Sequence, residues 1–220
     1  MSIVTPSRVD HAWLRSRMAA RRQPPSVVDG DFRSPEKRTA YRKAAVLVPL
    51  VERENGLTVL LTRRTAHLRD HGGQISFPGG RVEEDDPSVA HTALRETQEE
   101  IGLSPEQIEV LGVLDDYTTA TAFRITPVVG LVHPPPVLTS LTLDAFEVDE
   151  VFELPLDHLF DRDNYQRNFI RQNDRMHHYY AIPYCDYYIW GATAAMLVNM
   201  CRFLTEGEGP EERMFPGVRA

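Results

Sequence analysis

The chain has 220 residues, 42% of them hydrophobic, which suits one domain with a substantial core and peripheral additions. Its 24 basic against 32 acidic residues give a net charge of −8, which argues against a general nucleic-acid or membrane-surface binder and requires positive charge to act locally. Two cysteines, Cys185 and Cys201, are too few for a disulfide framework, no apolar run precedes Trp13 as a signal peptide would, and no apolar stretch approaches the ~20 residues of a bilayer span, so a cytoplasmic protein is expected.

In chain order, residues 10–22 carry helical spacing (Trp13, Leu14, Met18) until Gln23-Pro24-Pro25 breaks it, and a polar connector runs to about Arg42. Residues 1–42 are therefore read as an N-terminal helix and connector, residues 43–205 as the domain, and residues 206–220 as a loose charged tail. Two apolar runs, 44–51 and 57–62, predict a strand pair turned at Asn55-Gly56. A helix is expected over 87–101, with Asp86 as N-cap, Pro87 at the first position and Gly102 as a left-handed C-cap. Strands follow near 108–114 and 125–132, then a stiff break at His133-Pro134-Pro135-Pro136, and a short strand entering a turn or helix over 146–156. Residues 176–184 and 187–190 read as further strands, and 191–204 as a buried helix. Strands with two well-separated helices fit an α/β (α+β) sandwich.

The chemistry is concentrated in the helix over 87–101. Glu96, Glu99 and Glu100 stand at i, i+3 and i+4, so their carboxylates converge within one turn. Such a cluster repels itself, and the repulsion is relieved by protons or by a hard divalent cation; oxygen-only ligands favour Mg²⁺ or Mn²⁺ over Zn²⁺. A solvated acidic face is the plainer alternative for the three glutamates taken alone. His67, His71, His91, His177 and His178 lack metal-ligand spacing.

Phe77-Pro78-Gly79-Gly80, an acidic loop from Arg81 to Asp86, and Arg95-Glu96-Thr97-Gln98-Glu99-Glu100-Ile101-Gly102-Leu103 together make a glycine loop, a capped acidic helix and a glycine stop. This unit resembles the Nudix box. Arg95, Glu96, Glu99, Glu100, Gly102 and Leu103 fall in place, with Thr97 where an apolar residue is usual. The first half departs: Gly80 to Arg95 is one residue longer, and Asp86 or Pro87 stands where the family has Glu. The longer spacing is similar to that of coenzyme A diphosphatases, whose upstream signature also resembles Leu60-Leu61-Thr62-Arg63-Arg64-Thr65, Arg69, Gly73 and Phe77 to Gly80, Thr65 replacing the usual Ser or Ala. The two signatures cover about a fifth of the chain, Leu60 to Leu103.

The resemblance implies a Nudix-type α/β/α sandwich with a mixed sheet, and hydrolysis of the diphosphate of coenzyme A or a derivative with Mg²⁺ or Mn²⁺. It implies Glu96 and Glu100 as metal ligands, with Glu99 a third ligand or a base acting through water. Arg95 would hold a glutamate in place, and Gly79 and Gly80 would let the backbone turn beside the metal. Glu147 or Glu150 could supply a further ligand or the base, with Glu150 carried as the catalytic candidate. Arg63, Arg64 and Arg69 are the candidate contacts to phosphate, including the 3′-phosphate of coenzyme A. The expected partner is this small molecule, with no nucleic acid and no membrane, and a homodimer is left open. Alternatives are another nucleoside diphosphate hydrolase, acting on ADP-ribose, NADH or a dinucleotide, and a non-catalytic Nudix ligand sensor.

Overall fold

The computed structural model describes residues 9–20, 27–29, 40–68, 70–172 and 175–206. Helix α1 spans His11–Ala19 and is followed by a three-residue strand β1 (Val27–Asp29) inside the expected connector. The predicted pair is β2 (Arg42–Arg53) and β3 (Gly56–Arg64), and β4 (Ile75–Ser76) and β5 (Gly79–Arg81) then lead into helix α2 (Val89–Ile101). Strands β6 (Ile108–Val113), β7 (Asp116–Thr118), β8 (Phe123–Val132) and β9 (Val148–Pro155) precede the short helix α3 (Leu156–Phe160). Strands β10 (Gln166–Gln172), β11 (Arg175–Tyr184) and β12 (Tyr187–Trp190) and helix α4 (Ala192–Glu206) complete the described chain.

Among the described residues, nine strands form one mixed sheet along β1-β7-β8-β2-β3-β4, with β5 paired to β2, β6 to β8 and β9 to β3. The β2–β8 and β1–β7 pairs are parallel and the others antiparallel. The period-two pattern of β2 sends Ala45, Leu47 and Val51 to one face and Val48 and Leu50 to the other. The first face packs against Ala93, Ile101 and Leu103 of α2 and its C-terminal turn. The second packs against Leu14 and Met18 of α1, Leu156 and Leu159 of α3, and the apolar side of α4. Leu47, Leu50, Leu60 and Leu61 are fully buried, each contributing ~1.5–3 kcal/mol of transfer free energy. The result is an α/β/α sandwich, onto which Tyr180, Ile182 and Ile189 dock the three-stranded sheet β10-β11-β12.

Several bounds differ from expectation. Helix α1 ends at Ala19, and its buried Leu14 and Met18 make it part of the core layer beside α4. Residues 207–220, expected as a loose tail, lie outside the described residues. Helix α2 begins two residues later than expected: Ser88 is the N-cap, accepting from the His91 backbone N–H, because the Asp86 side chain is committed elsewhere. Gly102 closes α2 in the left-handed region at φ 71°, as expected, and its N–H bonds to the Gln98 carbonyl. Thr97 is fully buried at a position that favours an apolar side chain; its hydroxyl is satisfied inside the helix by the Ala93 carbonyl at 2.6 Å.

Candidate active site

The last turns of α2 aim Glu96 and Glu100 at the glycine strand β5, which is held against the sheet by its pairing of Ala45 with Gly80 and Val46 with Gly79. Glu100 is only 5% exposed and accepts a hydrogen bond from the Gly79 N–H at 3.2 Å. Its other oxygen lies 3.9 Å from Arg64, which also reaches Glu147 at 3.7 Å. Glu96 leans directly over Gly80, where a Cβ would sit 2.4 Å from the glutamate's carboxyl carbon, so a side chain there would displace the carboxylate.

Electrostatics follow from this packing. Burial is the largest cause that pushes the Glu100 carboxyl up to about 8; the Gly79 N–H and Arg64 oppose the shift, and the charges of Glu147 and Glu96 add to it. Burial also raises Glu96, against the pull of Arg95, with Glu99 and Glu147 adding repulsion. Among the described residues, no three His, Cys, Asp or Glu side chains are gathered closely enough to hold a metal by themselves. Two mutually repelling, desolvated carboxylates beside a backbone that carries no side chain nevertheless suit a hard divalent cation. Mg²⁺ in particular is commonly held by one or two carboxylates, with substrate phosphates and water completing its shell. Glu96 and Glu100 are the residues that would hold it.

Arg95 is fixed from behind this pair. Its guanidinium forms two hydrogen bonds to Asp86, from Nε at 3.3 Å and Nη2 at 3.1 Å, and also reaches Glu96 at 3.0 Å and Glu99 at 3.2 Å. Asp86 has a nearly inaccessible side chain and accepts further bonds from the Thr92 hydroxyl and the Glu83 N–H. Those bonds, the Arg95 guanidinium first, hold the Asp86 carboxyl well below the usual carboxylate range. The expectation that Arg95 holds a glutamate is thus extended: its bidentate partner is the aspartate at the position where the box departs from its family.

Other expected residues are placed differently. Glu99 is 60% exposed and pairs with Arg95, which it shares with Glu96. Arg63 and Arg64 are successive residues of β3 and project from opposite faces of the sheet. Arg64 joins the glutamates, whereas Arg63 pairs with Asp149 at 2.9 Å and Glu150 at 2.6 Å. Glu150 faces the same way as Arg63 and accepts from the Tyr187 hydroxyl, whose ring stacks on Phe152 in the opposite core layer. Alternation along β3 and β9 thus places Arg63 and Glu150 together on the face opposite the carboxylate pair, whereas Arg64 is brought to it. Arg69 lies outside the described residues.

Of the two candidates Glu147 and Glu150, Glu147 is the one that shares Arg64 with Glu100. The Thr65 hydroxyl bonds to the Phe146 carbonyl at 2.6 Å and the Thr65 N–H to the Glu147 carbonyl at 3.0 Å, so the loop after β3 grips the segment that enters β9. Asp144 holds the other end of this segment through the Phe146 and Glu147 N–H groups. The buried hydroxyl of Thr65 does work that sequence reading assigned to no residue. Its proximity in sequence to Arg64 was the available signal.

A family profile described as NUDIX domain matches residues 41–173. A protein named uncharacterized Nudix hydrolase NudL, from Pectobacterium atrosepticum, is 43% identical over 156 residues, covering 71% of this chain and 79% of that protein. One of the same name from Cronobacter sakazakii is 42% identical over 170 residues, covering 77% of this chain and 85% of that protein. Among solved structures, a Nudix hydrolase from M. smegmatis, RenU, superposes with a TM-score of 0.45 at 22% identity, covering 56% of this chain and 75% of that one.

Proposed function

The chain belongs to the Nudix family and is a hydrolase acting on phosphoric anhydrides, and from that premise we propose that its substrate is coenzyme A or an acyl or oxidised form of it, split at the diphosphate into a phosphopantetheine and adenosine 3′,5′-bisphosphate. The observation that carries the hydrolytic reading is the desolvated Glu96–Glu100 pair set against Gly79 and Gly80. The choice of coenzyme A is supported by the resemblance of residues 60–80 to the coenzyme A diphosphatase signature.

Glu96 and Glu100 would hold a divalent cation such as Mg²⁺ or Mn²⁺, which would supply charge neutralisation on the diphosphate and a lowered pKa for its bound water. The chain's own residues do the rest. Gly79 and Gly80 leave the backbone bare where the phosphates must approach. Arg64, between Glu100 and Glu147, adds a cationic fork for the same oxygens, and the half-exposed Glu147 accepts the proton of the attacking water. Asp86 and Arg95 keep Glu96 aimed at Gly80.

The test is kcat/KM for coenzyme A, dephospho-coenzyme A, ADP-ribose and NADH with Mg²⁺ or Mn²⁺. Coenzyme A or its derivatives should rank first. Preference for ADP-ribose or NADH with coenzyme A left intact would replace the substrate, and no turnover of any of them would favour a ligand sensor.

A further inference from the structure

The loop that follows β3 and the segment that enters β9 each present an aromatic ring to solvent. Phe146 is 65% exposed, although its backbone is held at both sides: its carbonyl by the Thr65 hydroxyl at 2.6 Å, and its N–H by the Asp144 carboxylate at 2.8 Å. The exposed His67 meets it edge to face, with ring centroids 4.9 Å apart and planes at 61°. A large apolar ring on a rigid mount, unused by the core, has the form of a preformed stacking surface.

Its position specifies what it would stack. Phe146 immediately precedes Glu147 and His67 lies three residues beyond Arg64, so the paired rings stand on the same two segments that bring those groups to the carboxylate cluster. A ligand with its diphosphate at that cluster carries a nucleoside next to it, and the flat face of a base is the part that an aromatic side chain binds. We infer that Phe146, supported by His67, is the platform on which the adenine of the substrate stacks while its diphosphate occupies the Glu96–Glu100 site. The inference rests on the diphosphate reading of that site but not on coenzyme A, because ADP-ribose and NADH carry the same adenosine diphosphate.

The test uses two non-hydrolysable probes on the whole protein with Mg²⁺: adenosine 5′-(α,β-methylene)diphosphate, which has the base, and methylenediphosphonate, which lacks it. Titration calorimetry gives both dissociation constants for the parent, Phe146→Ala, Phe146→Trp and His67→Ala. Phe146→Ala should weaken the adenosine probe by about 5- to 100-fold, the range of one base–aromatic stack. It should leave methylenediphosphonate within about twofold, and Phe146→Trp should retain the parent's affinity for both. His67→Ala should produce a smaller loss in the same direction. Unchanged affinity for the adenosine probe in Phe146→Ala overturns the platform. So does an equal loss for both probes, which would mean that Phe146 acts by holding Glu147. A parent that binds neither probe would remove the diphosphate reading and the platform with it, whereas a different preferred substrate in turnover assays would remove only coenzyme A.

Discussion

The carboxylate of Asp86 takes the Arg95 guanidinium from two nitrogens, at 3.3 and 3.1 Å, and Arg95 passes that constraint on to Glu96 at 3.0 Å. A residue outside the acidic helix thus sets the direction of a carboxylate within it. Arginine pairs bidentately because its fork matches the two carboxylate oxygens, and an amide in place of Asp86 keeps the shape while losing one acceptor and the charge.

Asp86→Asn should therefore lower both thermal stability and turnover. The sign of its pH dependence follows from the lowered Asp86 pKa: the ionised carboxylate stabilises the fold at every pH above its unfolded-state value, and the contribution is lost only as pH falls below it. The variant should melt below the parent at both pH 5 and pH 8, because the Asp86 carboxylate is ionised at both. Scanning fluorimetry at the two values checks this, and a penalty absent at pH 5 would mean that the Asp86 carboxylate is not the group responsible.

Glu100 behaves in the opposite sense. Its carboxyl rises from 4.5 to about 8, so between those values the metal-free folded protein keeps a proton that the unfolded chain has released. Folding stability then falls as pH rises through that window. In EDTA, Glu100→Gln should melt above the parent at pH 8, the difference closing towards pH 5; each ~1 kcal/mol recovered raises Tm by ~2–4 °C for a chain of this size. The same variant should lose at least ~10²-fold in turnover. Equal melting in EDTA at both pH values would show that Glu100 carries no such strain.

The two acidic residues near the start of β9 should separate cleanly. Glu147 shares Arg64 with Glu100, whereas Glu150 is occupied by Arg63 and Tyr187 on the other face. Glu147→Gln should reduce kcat by ~10² or more, as expected for loss of a general base, and Glu150→Gln should leave it within about threefold. The reverse order in steady-state kinetics would return the base to Glu150.

Arg64 should not discriminate among diphosphates. Its place between Glu100 and Glu147 puts it at the oxygens that every candidate substrate shares. Arg64→Ala should reduce kcat/KM for coenzyme A and dephospho-coenzyme A alike, by ~10- to 150-fold. Arg69→Ala should instead narrow the ratio between the two, because the signature leaves it as the candidate for the 3′-phosphate. A selective loss in Arg64→Ala would exchange these roles.

The β2–β3 pair, the central part of α2, the Gly102 stop and the buried α4 were all legible in the sequence because each rests on local periodicity or on one glycine. Ending β3 at Thr62 hid the most useful consequence: with Arg63 and Arg64 inside the strand, period two alone sends them to opposite faces. The placement of Glu150 was hidden for the same reason, since its face is set by its pairing in β9 opposite Arg63. Strand β5 has no alternating pattern and forms because bare Gly79 and Gly80 fit against Ala45 and Val46. Asp86 was singled out as an N-cap and at the departing position of the box, but its pairing with Arg95 depends on the folded loop and carries no local pattern.

Cleavage of the coenzyme A diphosphate at the Glu96–Glu100 site is open to direct test. Mass spectrometry of the products formed from coenzyme A and Mg²⁺, by the parent and by Glu100→Gln and with EDTA as control, tests it most directly. The parent alone should yield 4′-phosphopantetheine and adenosine 3′,5′-bisphosphate, in equal amounts, and neither product should form in EDTA. Intact coenzyme A after prolonged incubation, or the same two products at undiminished rate in EDTA or from Glu100→Gln, would contradict it.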